Sequence, residues 1–174
     1  MKIIIQSLSA IYQSPSILSF WLLRLWLGFR ALLTGIEKFS GYKIVQEPLL
    51  DETGNPDITG AIVEVKYKFY ALANYHGLPE ALSANFKKEP LLHPFLLNAY
   101  ATVLGPLLLL TGGCLLLGLF TRLSLYVMGL LYISLTFGLI MINQNDGIAA
   151  LAVHVGLCAY ALHLSVHNKL EIVR

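Results

Sequence analysis

The sequence predicts an all-α membrane protein, a bundle of four transmembrane helices in one domain that spans residues 1–174. Hydrophobic residues make up 56% of the chain and charged residues 13%, with a mean hydropathy of +0.68, which is far too apolar for a soluble domain. Four apolar runs each have about 20 residues, the length that a helix needs to cross a bilayer. They cover residues 17–36, 99–120, 123–142 and 148–166.

The connections between these runs are unequal in length. Short connections join the second run to the third and the third to the fourth, so each of these pairs is expected to form an antiparallel helix pair. A long segment at about residues 39–97 separates the first two runs. Its first part is rich in glycine and proline, which is typical of a loop.

The second part of the long segment is expected to contain short amphipathic helices. Apolar residues recur there at intervals of three and four, at Ile62, Val65, Phe69 and Leu72. Thr59 is suited to the N-cap of this helix and Gly77 to its C-cap. A second short helix is expected to open at Pro79 and to end before Pro90.

The distribution of positive charge predicts the orientation in the membrane. Four basic residues are expected on one side, at Lys2, Arg122, Lys169 and Arg174. Asp146 and the acid-rich long segment are expected on the other side. Because basic residues favour the cytoplasmic side, we expect both termini in the cytoplasm and the long segment to be extracytoplasmic.

The first run is the one with arginines inside it. At about 100° per residue, one of its helical faces combines cationic and small residues, at Arg24, Gly28, Ala31, Gly35 and Lys38. Small residues allow a neighbouring helix to approach, and an arginine that faces lipid costs a few kcal/mol. This face is therefore expected to point into the bundle with Arg24 buried. Arg30 and Glu37 lie on a different face, where they are expected to reach the interface or to pair.

The second and fourth runs carry further candidates. Gly112, Gly113 and Gly118 are expected to mediate helix packing, and Pro106 is expected to kink the second helix and to free a carbonyl that needs a partner. His154 is expected to be a hydrogen-bonded histidine of the interior. The histidines and cysteines lack metal-ligand spacing and the chain has no basic patch, so neither a metal site nor nucleic-acid binding is predicted.

Two motifs in order along the chain resemble a known family. The first is Arg24-x3-Gly28-x6-Gly35-x2-Lys38, and the second is Gly112-Gly113-x-Leu-Leu-Leu-Gly118-Leu-Phe-Thr121-Arg122. Together they resemble the DoxX-like membrane proteins, which include the DoxD subunit of thiosulfate:quinone oxidoreductase. The resemblance covers the four-span core and implies a four-helix bundle in the bacterial cytoplasmic membrane, often beside a redox partner and quinone.

One position departs from that family. Leu109 stands where members often have a glutamate, so a buried acid is missing opposite the cations of the first helix. Arg24 and Lys38 are therefore expected to meet another anion, such as a lipid phosphate, a ligand or a group on a partner subunit.

Two functions remain open, and only the second would make the chain part of an enzyme's chemistry. In the first, which we place ahead, the chain is an accessory subunit of a larger bacterial membrane complex, one of electron transfer or respiration, without an intrinsic cofactor. It would bind membrane lipids and other subunits. In the second, it is a quinone-linked oxidoreductase subunit with a pocket for quinone or an anion, lined by Arg24, Lys38, Arg122 and His154. A cation there would stabilise the reduced quinone, and His154 would move a proton.

Overall fold

A computed structural model of the protein describes residues 14–49, 54–55, 60–168 and 172. Its elements in chain order are α1 (Pro15–Glu37), β1 (Ser40–Pro48), β2 (Ile62–Tyr70), α2 (Glu80–Phe86), α3 (Pro94–Leu117), α4 (Thr121–Met141) and α5 (Asn145–Leu164). Helices α1, α3, α4 and α5 are each long and apolar enough to cross a membrane, so the protein is a multi-pass membrane protein. The prediction of four such helices is confirmed.

The observed ends of α3 differ most from the predicted span. The helix begins earlier, because Pro94 occupies its first turn and His93 caps it by accepting a hydrogen bond from Phe95 N at 3.3 Å. It ends earlier, because Gly118 takes a left-handed conformation with φ of 81° and its N–H bonds back to the carbonyl of Cys114. Gly118 therefore terminates the helix.

The four long helices form a closed ring. Helix α1 packs most extensively against α3, and α4 against α5, while contacts of α1 with α5 and of α3 with α4 complete the bundle. The core between them is apolar, with fully buried side chains that include Phe20, Leu27, Leu108, Leu115 and Met128. Arg122 and Asp146 lie at opposite ends of this bundle, because α4 runs between them. Lys2, Lys169 and Arg174, which contributed to the predicted orientation, lie outside the described residues.

Glycines bring the backbones of α1 and α3 together. A Cβ on Gly28 would lie 2.7 Å from Leu116 Cδ2, and one on Gly112 would lie 2.7 Å from the backbone nitrogen of Leu32. A Cβ on Gly35 would likewise lie 2.8 Å from Leu109 Cγ. The small-residue face of α1 thus lies against α3.

Gly113 does not take part in this close approach. A Cβ added there would meet no described atom within 4 Å. Gly113 and the helix-ending Gly118 therefore have different surroundings from Gly112, although all three were predicted to pack helices.

The predicted loop is wrong for residues 40–48, and the predicted amphipathic helix is wrong for residues 62–70. Strands β1 and β2 pair there as an antiparallel β-hairpin, in a register that runs from Ser40 opposite Tyr70 to Pro48 opposite Ile62. The proposed N-cap, Thr59, lies outside the described residues. The short helix expected after Pro79 is present as α2. The end of the bundle that carries these strands is called the β-hairpin end below.

Candidate functional site

Arg24 is buried in the bundle, with 2% of its surface exposed. Its Nε donates to the carbonyl oxygen of Leu115 at 2.7 Å, and its Nη2 donates to that of Leu116 at 3.2 Å. Its Nη1 donates to Asn168 Oδ1 at 3.2 Å, and the guanidinium carbon lies 4.7 Å from the centre of the Trp21 ring. The guanidinium therefore joins α1 to the end of α3 and to the chain that follows α5.

The position of Arg24 explains why a charge is stable there. Leu115 and Leu116 belong to the last turn of α3, where carbonyl groups lack partners within the helix and the helix dipole is negative. Asn168 extends the network, because its Nδ2 donates to Thr121 Oγ1 at 3.2 Å at the start of α4. Arg24 thus acts as a cap that holds four chain segments at the end of the bundle opposite the β-hairpin.

The four residues predicted to line one pocket are not brought together. Lys38 follows the last residue of α1, and the 14 positions from Arg24 correspond to about 21 Å along a helix axis. Arg122 is exposed in the first turn of α4, at the end opposite the β-hairpin. His154 lies in the middle of α5.

His154 is held by its own helix. Its Nδ1 lies 2.7 Å from the carbonyl oxygen of Ala150, so that nitrogen carries the proton, and its ring centre lies 5.3 Å from that of Tyr132. Its Nε2 is buried and has no hydrogen-bond partner among the described residues. The histidine is half-buried and hydrogen-bonded to its own helix in the middle of α5, whereas Lys38 lies at the β-hairpin end.

The β-hairpin is exposed along most of its length. Each strand has nine residues, which corresponds to a ribbon of about 30 Å. Directly opposed residues share a face, so one face presents Tyr42, Ile44 and Ile62 and the other presents Tyr67 and Phe69. All five are exposed, with Tyr42 at 63% and Ile62 at 66%. Apolar side chains are therefore exposed on both faces.

Both outer edges of the β-hairpin are open among the residues that the structure describes. The ladder is extended at its two ends by bonds from Leu49 N to the Ala61 carbonyl at 2.8 Å and from Ala71 N to the Phe39 carbonyl at 3.0 Å. Both bonds join odd-numbered residues, and opposed pairs in an antiparallel ladder alternate between bonded and non-bonded. The N–H and C=O groups of odd-numbered residues therefore point toward the partner strand. The N–H groups of even-numbered residues, such as Ile44 and its partner Lys66, therefore point outward.

An ion pair fixes the base of the β-hairpin to α1. Lys68 Nζ lies 2.6 Å and 2.7 Å from the two carboxylate oxygens of Glu37. The Ser40 and Tyr70 hydroxyls donate to the same carboxylate, at 3.3 Å and 3.4 Å. Hydrogen bonding to Glu37 raises the pKa of Lys68. Glu37 therefore pairs with the β-hairpin and not with Arg30.

A second anchor joins the segment after β2 to the part of α3 beside Pro106. Pro106 has no N–H, so the carbonyl of Thr102 lacks its usual partner in the helix. The Tyr75 hydroxyl lies 2.6 Å from the Ala101 carbonyl oxygen and 3.0 Å from that of Thr102, and it accepts a bond from Gly105 N at 3.1 Å. The one hydroxyl hydrogen of Tyr75 is shared between the two carbonyls, with the shorter contact to Ala101, so Tyr75 partly compensates the Thr102 carbonyl that Pro106 frees.

Replacing Tyr75 with phenylalanine is expected to lower the free energy of unfolding in mild detergent by about 2 kcal/mol, because carbonyl and N–H groups of α3 lose their partner in an apolar setting. Denaturation followed by circular dichroism measures this change. Tyr70→Phe is the matched control, since its exposed hydroxyl makes a long bond to Glu37, and should change the value by less than about 0.5 kcal/mol. Equal effects of the two substitutions would contradict the role given to Tyr75.

A polar cavity of about 490 Å³ lies between the last two turns of α1 and the segment after β2. Arg30, Thr34, Lys38 and His76 contribute to its wall. Burial lowers the pKa of Lys38, because the ammonium group is partly removed from water. The described residues contain no group of three or more histidine, cysteine, aspartate or glutamate side chains placed to hold a metal.

Comparisons with family models, with curated proteins and with solved structures gave no match. The class that the fold defines is a multi-pass membrane protein, with four helices able to span a membrane in the part of the chain that the structure describes and an exposed two-stranded ribbon.

Proposed function

We propose that this protein is an accessory subunit of a larger membrane complex, one of electron transfer or respiration, and that its β-hairpin docks a partner subunit. The observation that carries the proposal is the β-hairpin itself, which exposes apolar side chains on both faces and has no strand paired to either edge among the described residues. The anchors at Glu37 and Tyr75 hold its base, while the rest of the ribbon extends from the bundle.

The physical chemistry of such a ribbon favours a partner. A two-stranded sheet is marginally stable alone in water, and a long apolar edge strand is a template for pairing with another chain. Charged side chains accompany the apolar ones along it, at Lys43, Glu47, Glu64, Lys66 and Lys68, which suits a water-exposed surface better than the bilayer. We therefore propose that an extramembrane domain of the partner adds a strand to one of these edges.

Membership of the DoxX-like family is part of the proposal. It is supported by the contact of the two motifs in space, because Arg24 of the first binds carbonyls of Leu115 and Leu116 in the second, and Gly28 packs on Leu116. On the same resemblance we propose that the protein lies in the bacterial cytoplasmic membrane. Arg122 lies at the end opposite the β-hairpin, which supports cytoplasmic termini and an extracytoplasmic ribbon.

The alternative, a quinone-linked oxidoreductase subunit, has less support. It requires Arg24, Lys38, Arg122 and His154 to share one pocket, whereas Arg24 caps α3, Arg122 lies at the end opposite Lys38, and His154 bonds to its own helix. Quinone reduction by the isolated chain, lost on Arg24→Ala or His154→Ala, would favour this alternative over docking.

The docking role is tested by purifying the full chain from native membranes in mild detergent and measuring the mass of the complex by native mass spectrometry. Proline at Ile44 or Lys66 removes an outward N–H and leaves the inward bonds of the ladder in place. We expect one of the two variants, Ile44→Pro or Lys66→Pro, to lose a stoichiometric partner that the wild type retains.

Matched variants distinguish the effect of the outward backbone N–H from the effect of the side chain at the same position. Ile44→Thr and Lys66→Thr change the same side chains but keep the N–H, so they should retain the partner. A wild-type chain that purifies without a stoichiometric partner, or a partner that survives both proline variants, would show that the β-hairpin edge is not a docking site.

A further inference from the structure

The polar cavity at the β-hairpin end carries positive charge that no neighbouring acid neutralises. Arg30 and Lys38 both contribute to its wall, and among the described residues neither has a carboxylate within ion-pair distance. Glu37 also borders the cavity, but both of its carboxylate oxygens are bound by Lys68. The cavity therefore favours an anion.

The two cations reach the cavity from different depths. They are eight positions apart on α1, which corresponds to about 12 Å along the axis, and the long Arg30 side chain lets its head group approach the end of the helix. Lys38 is half-buried at the helix end. A charged group between them would lie near the boundary of the apolar part of the bundle, at the depth of lipid head groups.

An apolar cavity adjoins the polar one. Its volume is about 160 Å³, and it shares Thr34, Lys38 and Pro79 with the polar cavity. The rest of its wall is apolar and includes Leu82 and Phe86 of the α2 region. The two neighbouring cavities thus offer cations to a polar group and an apolar wall to a hydrocarbon chain attached to that group.

We infer that this region binds the phosphate head group of an anionic amphiphile, with Arg30 and Lys38 holding the phosphate and the apolar cavity holding part of its acyl chain. Phosphate is favoured because a guanidinium and an ammonium group both bind its oxygens by charge-assisted hydrogen bonds. The inference is independent of docking, because the cavity wall includes no residue of the β-hairpin.

The test uses the full chain in mild detergent, with binding measured by native mass spectrometry and calorimetry. The probes are phosphatidylglycerol, phosphatidylcholine and inorganic phosphate. We expect phosphatidylglycerol to bind at least about tenfold more tightly than phosphatidylcholine, and inorganic phosphate to bind more weakly than the lipid because it lacks a chain. Equal binding of the two lipids, or phosphate that binds as tightly as phosphatidylglycerol, would overturn the inference.

Charge-removing variants locate the site. Arg30→Gln and Lys38→Gln should each weaken phosphatidylglycerol binding about tenfold, since each removes a charged hydrogen bond. Lys88→Gln is the matched control, because Lys88 is an exposed cation just after α2 that lies outside both cavity walls, and it should bind like the wild type. Wild-type affinity in both glutamine variants would place the lipid elsewhere.

If the glutamine substitutions disturb folding, a variant that keeps all charges still tests the inference. Leu82→Trp enlarges a side chain in the wall of the apolar cavity. It should weaken the binding of phosphatidylglycerol and leave that of inorganic phosphate unchanged. Undiminished lipid binding by a folded Leu82→Trp chain would exclude the apolar cavity as the chain's site.

Discussion

Replacing Arg24 with methionine is expected to lower the free energy of unfolding by about 3–5 kcal/mol. Methionine preserves much of the side-chain volume but donates no hydrogen bond, so the carbonyl oxygens of Leu115 and Leu116 lose a partner, as does Asn168. These acceptors lie where water does not replace the guanidinium. Chemical denaturation in mild detergent, followed by tryptophan fluorescence, measures the difference.

The same substitution elsewhere on the helix provides the control. Arg30→Met removes an exposed guanidinium from α1 and should lower the free energy of unfolding by less than about 1 kcal/mol. Arg24→Lys should fall between the two, because an ammonium group keeps the charge but lacks the planar fork of donors. If Arg24→Met and Arg30→Met were equally stable, Arg24 could not be the cap described above.

Replacing Gly77 with alanine is the second substitution with a large expected effect. A Cβ there would lie 2.8 Å from Ala101 Cα and still closer to the carbonyl group of Ala101, which is backbone and not a side chain that can rotate away. The segment after β2 must then move away from α3. This movement also takes the Tyr75 hydroxyl away from the carbonyl of Ala101. We expect a loss of about 3 kcal/mol in the free energy of unfolding.

Limited proteolysis reports the same change locally, with faster cleavage between β2 and α2 in Gly77→Ala. Gly113→Ala is the matched control, because it makes the same chemical change inside α3 where a Cβ meets open space. It should be neutral or slightly stabilising, since alanine favours a helix by up to about 1 kcal/mol over glycine. A Gly77→Ala chain as stable and as protease-resistant as Gly113→Ala would rule out the close contact with Ala101.

The membrane-spanning helices were predictable because their signal is long and redundant. Each is an apolar run of about 20 residues, and no single position decides whether it is helical. Their ends were less predictable. The left-handed Gly118 and the His93 cap set the limits of α3, and these local features have little weight in a hydropathy average.

The β-hairpin was missed because its sequence fits two periods. Spacings of three and four from Ile62 to Leu72 match a helix, yet Val63, Val65, Tyr67 and Phe69 also alternate with charged residues, as in a strand. The richness in β-branched and aromatic residues favoured the strand. The partner strand was hidden because Gly41 and Pro48, at its two ends, suggested a loop.

The burial of Arg24 followed from the cost of a charge in lipid, but its partners did not follow from the sequence. Backbone carbonyls carry no residue-specific signal, so Leu115 and Leu116 could not be recognised as its acceptors. Tyr75 was missed for a related reason. Pro106 indicated a free carbonyl, at Thr102, but only the fold brings Tyr75 close to that carbonyl, from 27 positions earlier in the chain.

The Tyr75 bond has a mechanical consequence. Because one hydroxyl contacts two carbonyls and an N–H of α3 beside Pro106, moving the segment after β2 away from the bundle removes all three contacts at once. A displacement of the segment that follows the ribbon is thus coupled through the phenol ring to the backbone of α3.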